Sequence, residues 1–191
     1  MGALLQLGAG FAGENNSHPD PPPTWGRGFF CEVIAAMNAT QLLDIYRTKR
    51  LRIATAESCT GGMIAAAITD IAGSSDVFDR GFVTYSNEAK TELIGVPADL
   101  ISHHGAVSVH VAREMAAGAL THSKADVAVA VTGVAGPGGG SEAKPVGLVY
   151  LAVARRGADP AIERHQFHGD RAAVRQATVE RALEMLAEAA S

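Results

Sequence analysis

The chain has 191 residues, a length that suits one domain or one domain with an appendage. Hydrophobic residues make up 47% of it and charged residues 19%, a balance that provides a core and excludes the intrinsically disordered class. The net charge of −4 argues against broad binding to the phosphate backbone of a nucleic acid, although a few backbone N–H groups can still hold one small anion.

Cysteine usage and the N-terminal composition indicate the compartment. Cys31 and Cys59 are too few for a disulfide framework and form no CxxC motif. No apolar run approaches the roughly 20 residues that a membrane span needs. No Lys or Arg precedes Arg27, whereas a secretory signal begins with positive charge. We therefore expect a cytoplasmic protein without a membrane partner.

Residues 1–37 differ in composition from the rest of the chain. They are rich in glycine, contain Pro21-Pro22-Pro23 and have no sustained periodicity, which predicts a flexible extension rather than a domain. The segment from Gly8 to Gly13 fits the GxGxxG dinucleotide pattern. That pattern requires a preceding strand and a following helix, and its neighbours here suit neither. We expect the folded domain to span residues 38–191.

From Asn38 onward, the apolar pattern alternates between strand and helix. Strands are predicted at 51–56, 81–86, 126–132, 146–154 and 161–167. Helices are predicted from the Asn38 cap through Tyr46, at 59–71, between the second strand and the Gly95–Pro97 stop, at 108–123, and after Asp170. This order predicts an α/β fold: a single domain with an α/β/α layered, mixed sheet of about five strands flanked by helices. The first strands are expected to be parallel and the last two to form an antiparallel hairpin.

The first candidate site segment is TAESCTGG (55–62), which lies between a strand and a helix. A hydroxyl at Ser58 is exposed there, and the N–H groups of the following residues could form an oxyanion hole. The alternative is that Ser58 or Thr60 simply caps the helix, which is the usual role of a serine in this place.

The second segment is GFVTYSNEAK (81–90), in which Tyr85 closes a strand and Lys90 lies one turn into the next helix. Both can reach the edge that carries Ser58. A serine nucleophile needs a base, and a lysine can serve if desolvation lowers its pKa from the usual value of about 10.4. A tyrosine hydroxyl could relay the proton. Taken singly, the lysine would be a solvated helix residue and the tyrosine a half-buried strand residue.

The third segment is the glycine-rich loop from Thr132 to Gly140, directly after a buried strand. Glycines let a backbone approach a ligand and turn its N–H groups toward an anion. The loop is not a phosphate-binding Walker loop because Gly139 stands where that motif needs lysine. Lys144 could add positive charge. The alternative is a flexible loop.

Metal ligation is poorly supported. The seven histidines belong to no HExxH motif or cysteine cluster. His165 and His168 should fall on opposite faces of a strand, so they are poorly placed for one ion. Cys59 is a rival nucleophile to Ser58, but a buried structural thiol is the better interpretation because no histidine segment supports it.

Six segments together resemble the CinA C-terminal domain family over residues 39–190: TAESCTGG, ITDIAGSS, GFVTYSNEAK, HGAVS, TGVAGPGGGSEAKPVG and FHGDRAAVR. Within that family the likeness is to the stand-alone amidases of nicotinamide nucleotides. The resemblance implies hydrolysis of the carboxamide of nicotinamide mononucleotide to nicotinate mononucleotide and ammonia, in pyridine nucleotide recycling. It implies no cofactor and no metal, a small-molecule nucleotide substrate and a homo-oligomer.

The resemblance also assigns residues. It implies that Ser58 is the nucleophile, with Tyr85 and Lys90 as its catalytic partners. The implied substrate-binding residues are Thr60, Gly61, Gly62, Thr132, Gly133, Gly136, Gly138, Gly139 and Lys144. One departure is that Val109 and His110 follow HGAVS, where acidic residues are common in the family.

Two other functions stay open from the sequence. One is a non-catalytic module that binds a nucleotide or a partner, linked to competence or the response to DNA damage. The other is an amidase for a related nucleotide. Ser58, Tyr85 and Lys90 together favour an enzyme over a module, because a binding protein needs no lysine base.

Overall fold

The computed structural model describes residues 37–191, so the Gly8–Gly13 motif and Cys31 lie outside the described residues. The helices are α1 (Ala39–Lys49), α2 (Met63–Thr69), α3 (Asn87–Ile94), α4 (Ala98–His104), α5 (Val109–Thr121) and α6 (Arg171–Ala189). The strands are β1 (Ile53–Glu57), β2 (Phe78–Val83), β3 (Val127–Gly133), β4 (Leu148–Arg155) and β5 (Ala161–Gln166). A 3₁₀ turn at Ser74–Asp76 precedes β2.

The five strands form one mixed sheet in the order β2-β1-β3-β4-β5. The first three are parallel, and β4 runs antiparallel to both β3 and β5. The expected α/β fold with a C-terminal antiparallel hairpin is confirmed. Because β1 and β3 lie in the interior of the sheet and are parallel, their carboxyl ends meet at one edge, where ligands of open α/β sheets bind.

Both faces of the sheet are covered, and the VAVAV pattern of β3 explains how. Its valines, Val127, Val129 and Val131, pack into a core with α1, α2 and α6. Its alanines, Ala128 and Ala130, pack into a second core with α5. Small residues on that second face allow α5 to lie close to the sheet, because side chains alternate between the faces of a strand.

Four of the six helices begin with the side-chain cap that a polar residue provides. The cap residues are Asn38 for α1, Ser86 for α3, Ser108 for α5 and Asp170 for α6. The predicted caps at Asn38, Ser108 and Asp170 are confirmed, as is the end of α3 at Gly95. Helix α2 begins differently, since its cap residue Gly62 has no side chain to bond with.

Two predictions of helical extent were wrong. Helix α4 was missed because it is seven residues long and buries only Ile101, too little to produce a periodic pattern. Helix α2 begins at Met63 rather than at Cys59, because Gly61 and Gly62 adopt φ values of 62° and 99° that break the helical path. The residues between β1 and α2 therefore form an open turn.

Within residues 37–191, no helix combines the length and apolarity that a membrane crossing requires.

Candidate active site

A pocket of about 230 Å³ lies at the carboxyl ends of the three parallel strands. Each strand delivers one of the segments singled out in the sequence: Ser58 follows β1, Tyr85 follows β2, and Thr132 and Gly133 end β3. The pocket is lined by Ser58, Cys59, Tyr85, Asn87, Lys90, Ala106, Val107, Thr132, Gly133, Ala135 and Arg171. The three predicted catalytic residues therefore share one cavity.

Ser58 and Lys90 are in direct contact. The Nζ atom of Lys90 lies 3.2 Å from the Oγ atom of Ser58. The same Nζ donates to the carbonyl of Thr84 at 2.8 Å and contacts that of Ser86 at 3.4 Å. A neutral amine has two N–H bonds and one lone pair. The two carbonyls can accept both N–H bonds, which leaves the lone pair for the hydroxyl proton of Ser58.

Lys90 is one of the most deeply buried side chains, with 1% of its surface exposed. Burial lowers its pKa below the ordinary lysine value. A Cys59 thiolate, once formed at high pH, and the charge of Glu88 act in the opposite direction. Its place follows from the cap at Ser86, which starts α3 so that Lys90 falls one turn inside the helix and turns toward the sheet. The alternative of a solvated surface lysine was wrong.

Ser58 is not a helix cap. Its backbone N–H donates to the carbonyl of Val131, and the described contact of its hydroxyl is with Lys90. Thr60 does not cap α2 either, because its hydroxyl donates to the carboxylate of Glu57 at 2.7 Å. The capping interpretation of these two residues is therefore set aside.

The expected oxyanion donors need correction. The backbone N–H groups of Gly62, Ile64 and Ala65 donate to the buried carboxylate of Glu57, at 2.8–3.0 Å, and are not available to a ligand. Among the described residues, the backbone N–H groups of Cys59 and Thr60 have no hydrogen-bond acceptor. Of these two residues, Cys59 lines the pocket and Thr60 does not, so the N–H of Cys59 is the candidate oxyanion donor beside Ser58.

Tyr85 lies at the mouth of the pocket with 60% of its surface exposed. Its hydroxyl is 3.2 Å from Nη2 of Arg171, whose Nη1 donates to the carbonyl of Gly136. A proton relay through Tyr85 is not required, since Lys90 reaches Ser58 directly. Sequence reasoning missed Arg171 because an arginine in the first turn of a helix usually faces solvent.

The predicted substrate-binding residues divide into three groups. Thr132 and Gly133 line the pocket, and the Thr132 hydroxyl donates to the carbonyl of Ala106, which also lines it. Gly136 adjoins the pocket through its bond to Arg171. The others, which do not line it, are Thr60, Gly61, Gly62, Gly138, Gly139 and Lys144.

Lys144 and Gly61 have other neighbours. The ammonium of Lys144 donates to the carbonyl of His104 at 2.8 Å. A side chain on Gly61 would approach the guanidinium of Arg175, which donates to the carbonyl of Thr60 at 2.7 Å. Arg175 thus supports the turn that carries Ser58 through the carbonyl of Thr60.

A second cavity of about 640 Å³ adjoins the first and shares Ala135 and Arg171 with it. It is lined by Ala135, Pro137, Val146, Gly169, Asp170, Arg171, Ala172 and Arg175. The glycine-rich loop forms one wall and the start of α6 the other. The two cavities together are therefore longer than the pocket at Ser58 alone, and Arg171 gives their shared boundary a positive charge.

The other residues that the sequence analysis considered for chemistry are Cys59, as a nucleophile, and the histidines, as metal ligands. Burial raises the pKa of the Cys59 thiol to about 11, which leaves it protonated and a poor nucleophile at neutral pH. His165 stacks on Phe167 and bonds to Glu163 at 2.6 Å. Within residues 37–191, no three His, Cys, Asp or Glu side chains are grouped as a metal site requires.

The chain is similar to known proteins in both sequence and structure. The family model described as the CinA C-terminal domain matches residues 35–190. The chain belongs to the CinA C-terminal domain family. A family member of known structure, the competence/damage inducible protein CihA from Agrobacterium tumefaciens, is 51% identical and superimposes with a TM-score of 0.76 over 78% of this chain and 90% of its own.

Curated relatives in the family come in two lengths. The nicotinamide-nucleotide amidohydrolase PncC of Escherichia coli K12 is 55% identical over 146 residues, which cover 76% of this chain and 88% of that protein. The CinA-like protein of Geobacter sulfurreducens is 53% identical over 147 residues, which cover 77% of this chain. This chain spans only 35% of the length of that relative and of others like it.

Proposed function

We propose that the protein hydrolyses the carboxamide of nicotinamide mononucleotide to nicotinate mononucleotide and ammonia. The observation that carries the proposal is the 3.2 Å contact between Ser58 Oγ and the Nζ of the buried Lys90. The name of the Escherichia coli relative supports the substrate. A module that only binds nucleotides or partners would have no use for a buried amine beside an accessible serine hydroxyl.

The proposed reaction begins when the neutral amine of Lys90 takes the hydroxyl proton of Ser58. Oγ then attacks the carboxamide carbon and forms a tetrahedral intermediate, whose oxyanion accepts a hydrogen bond from the backbone N–H of Cys59. Lys90 gives this proton to the leaving nitrogen. Ammonia then departs from the tetrahedral intermediate, which becomes the acyl-enzyme ester of Ser58. Lys90 next takes a proton from water, whose oxygen attacks the ester carbon. Collapse of this second tetrahedral intermediate releases nicotinate mononucleotide, and Lys90 returns the proton to Ser58 Oγ.

The nucleotide end of the substrate is proposed to extend along the glycine-rich loop. The guanidinium of Arg171 stands between the reaction pocket and the second cavity, where it can pair with a phosphate. Thr132 and the glycines of the loop would then contact the ribose and phosphate. Tyr85, on the same guanidinium, would hold Arg171 at the mouth and cover the pyridine ring.

The proposal extends to the protein's setting. The domain that carries the activity is residues 38–191, with residues 1–37 as an extension. The pathway is pyridine nucleotide recycling, the compartment the cytoplasm, and the active form a homo-oligomer. These parts rest on the family resemblance and on composition, whereas the chemistry rests on the geometry of the pocket.

Ammonia release from a panel of pyridine nucleotides tests the function, with Ser58→Ala measured beside the wild-type chain. We expect turnover of nicotinamide mononucleotide and at least a 10³-fold loss, by order of magnitude, in Ser58→Ala, because removing the nucleophile leaves only binding and electrostatic catalysis. The thermal midpoint should change little, since Ser58 caps no helix. Retained turnover in Ser58→Ala would contradict the assignment, and a wild-type preference for another amide would change the substrate.

A further inference from the structure

Glu57 immediately precedes the proposed nucleophile and is buried, with 1% of its surface exposed. Its carboxylate accepts four hydrogen bonds from the start of α2, namely from Thr60 Oγ1 and from the backbone N–H groups of Gly62, Ile64 and Ala65. The side chain therefore joins the end of an interior strand to a helix across the turn that carries Ser58.

A helix start does not need this arrangement. The other capped helices use the residue just before the helix, such as Asn38 or Ser86, and one side-chain bond each to the helix start. A carboxylate in the core is expensive in free energy unless it is paired. No Lys, Arg or His of residues 37–191 forms an ion pair with Glu57. Neutral donors alone hold the charge, which indicates that the bonds serve something beyond the helix.

The main chain of Glu57 connects to the other half of the site. Its carbonyl accepts a hydrogen bond from the N–H of Thr84 at 2.8 Å. The carbonyl of Thr84 in turn accepts from Nζ of Lys90 at 2.8 Å. Through its side chain Glu57 fixes the turn of Ser58, and through its main chain it fixes the segment that holds the base.

We propose that Glu57 is a positioning residue that keeps Ser58 Oγ within reach of the lone pair of Lys90. It touches neither substrate nor reacting atoms. It acts by holding the turn between β1 and α2 in one conformation, and this inference rests on the proposed function of Ser58. Displacement of a reacting group by about 1 Å is enough to reduce a rate about 10²-fold.

The test is Glu57→Gln, which keeps the size of the side chain. The amide can still accept through one oxygen, but its NH₂ group would face an N–H donor of α2 in place of the second oxygen. We expect kcat to fall about 10²-fold with KM within about threefold of wild type, at a temperature where the variant is folded. The rate of Ser58 phosphonylation by a fluorophosphonate should fall in parallel, because that reaction reports nucleophile activation without substrate.

Two further variants make the result decisive. Asn38→Ala removes the cap of α1, whose residues line neither cavity, so it should lose stability but keep kcat. Thr60→Val removes one of the four donors without changing side-chain shape and should lower kcat about tenfold. If Glu57→Gln does not fold, the kcat of Thr60→Val tests the positioning role of Glu57 in its place.

Wild-type kcat in folded Glu57→Gln, or in Thr60→Val when the former is unfolded, would overturn the proposal. A loss confined to KM would overturn it as well. These outcomes differ from failure of the proposed function, which would appear as retained turnover in Ser58→Ala.

Discussion

At the scale of single residues, the proposed mechanism makes the protonation state of Lys90 decide whether Ser58 has a base. Burial lowers the pKa of Lys90, so its neutral form becomes populated at a lower pH than in a solvated lysine. In the proposed mechanism the neutral form is the active one, so activity should rise with pH through the pKa of Lys90 in the folded enzyme. The ascending limb of kcat/KM against pH should lie below the ordinary lysine value of about 10.4.

The companion variant is Lys90→Arg, whose guanidinium stays protonated and cannot accept the serine proton. We expect a loss of about 10²-fold or more. The matched control is Lys49→Arg, because the ammonium of Lys49 binds carbonyls at the end of α6, away from the pocket. Wild-type turnover by Lys90→Arg would show that Lys90 is not the base and contributes only a positive charge beside the substrate.

At the scale of elements, the glycine-rich loop offers one position for a clean test. A Cβ atom on Gly138 would meet nothing within 4 Å, whereas one on Gly136 would lie 2.5 Å from Val146 at a φ of 81°. Gly138→Ala therefore adds a methyl group in open space without strain, and Gly136→Ala does not. An effect of the first substitution therefore cannot come from a clash with the described neighbours.

If the loop holds the phosphate, Gly138→Ala should lower kcat/KM for the mononucleotide about tenfold or more, because the methyl group keeps the phosphate from the backbone. The dephosphorylated riboside should be a substrate about 10²-fold poorer, and the substitution should leave its kcat/KM unchanged. Steady-state ammonia release gives all four values. Equal kcat/KM for nucleotide and riboside would show that the loop has another role.

Some of these elements and their contacts could be predicted from the sequence, and others could not. The strand β3 and the helix caps were predictable, because the alternation of side chains along a strand and the cap of a helix each depend on residues close together in the sequence. Ser58, Tyr85 and Lys90 were predictable as neighbours, since parallel strands end at one edge. The role of Glu57 was not: its four donors follow it by three to eight residues. The sequence next to a glutamate does not show whether its carboxylate is buried or exposed to solvent.

Arg171 was unpredictable for a different reason. Its partners, Tyr85 and Gly136, are 86 and 35 residues away along the chain, so only the tertiary fold brings them together. The topology explains the encounter. Because β4 reverses direction and β5 reverses again, β5 ends at the same edge as β1 and β3, and α6 begins beside the pocket.

At the scale of the whole molecule, α6 couples the pocket to the core. It starts at Arg171, and its buried face contributes Val174, Leu183 and Leu186 to the larger core. A ligand bound at Arg171 should therefore stabilise the folded chain by mass action, by about 2.7 kcal/mol at a hundredfold excess over Kd. Nicotinate mononucleotide should raise the thermal midpoint, and the riboside should raise it less.

Arg171→Ala should lose most of that midpoint shift while its unliganded midpoint stays near that of wild type, because the side chain is on the surface of the pocket. Differential scanning fluorimetry with a product titration measures both quantities. An undiminished shift in Arg171→Ala would place the phosphate elsewhere.

The turn between β4 and β5 lies at the opposite end of the sheet from the pocket. Residues 156–159 are exposed, and the backbone N–H of Arg156 bonds to Asp126 just before β3 begins. Gly157 has a φ of 79°, which a side chain would strain, so the attachment belongs on its exposed neighbours Ala158 and Asp159. This turn is therefore an attachment point for a fluorophore, an affinity peptide or an inserted reporter domain. Such a chimera should keep its amidase kinetics, and its reporter would sit as far from the bound nucleotide as the sheet is long.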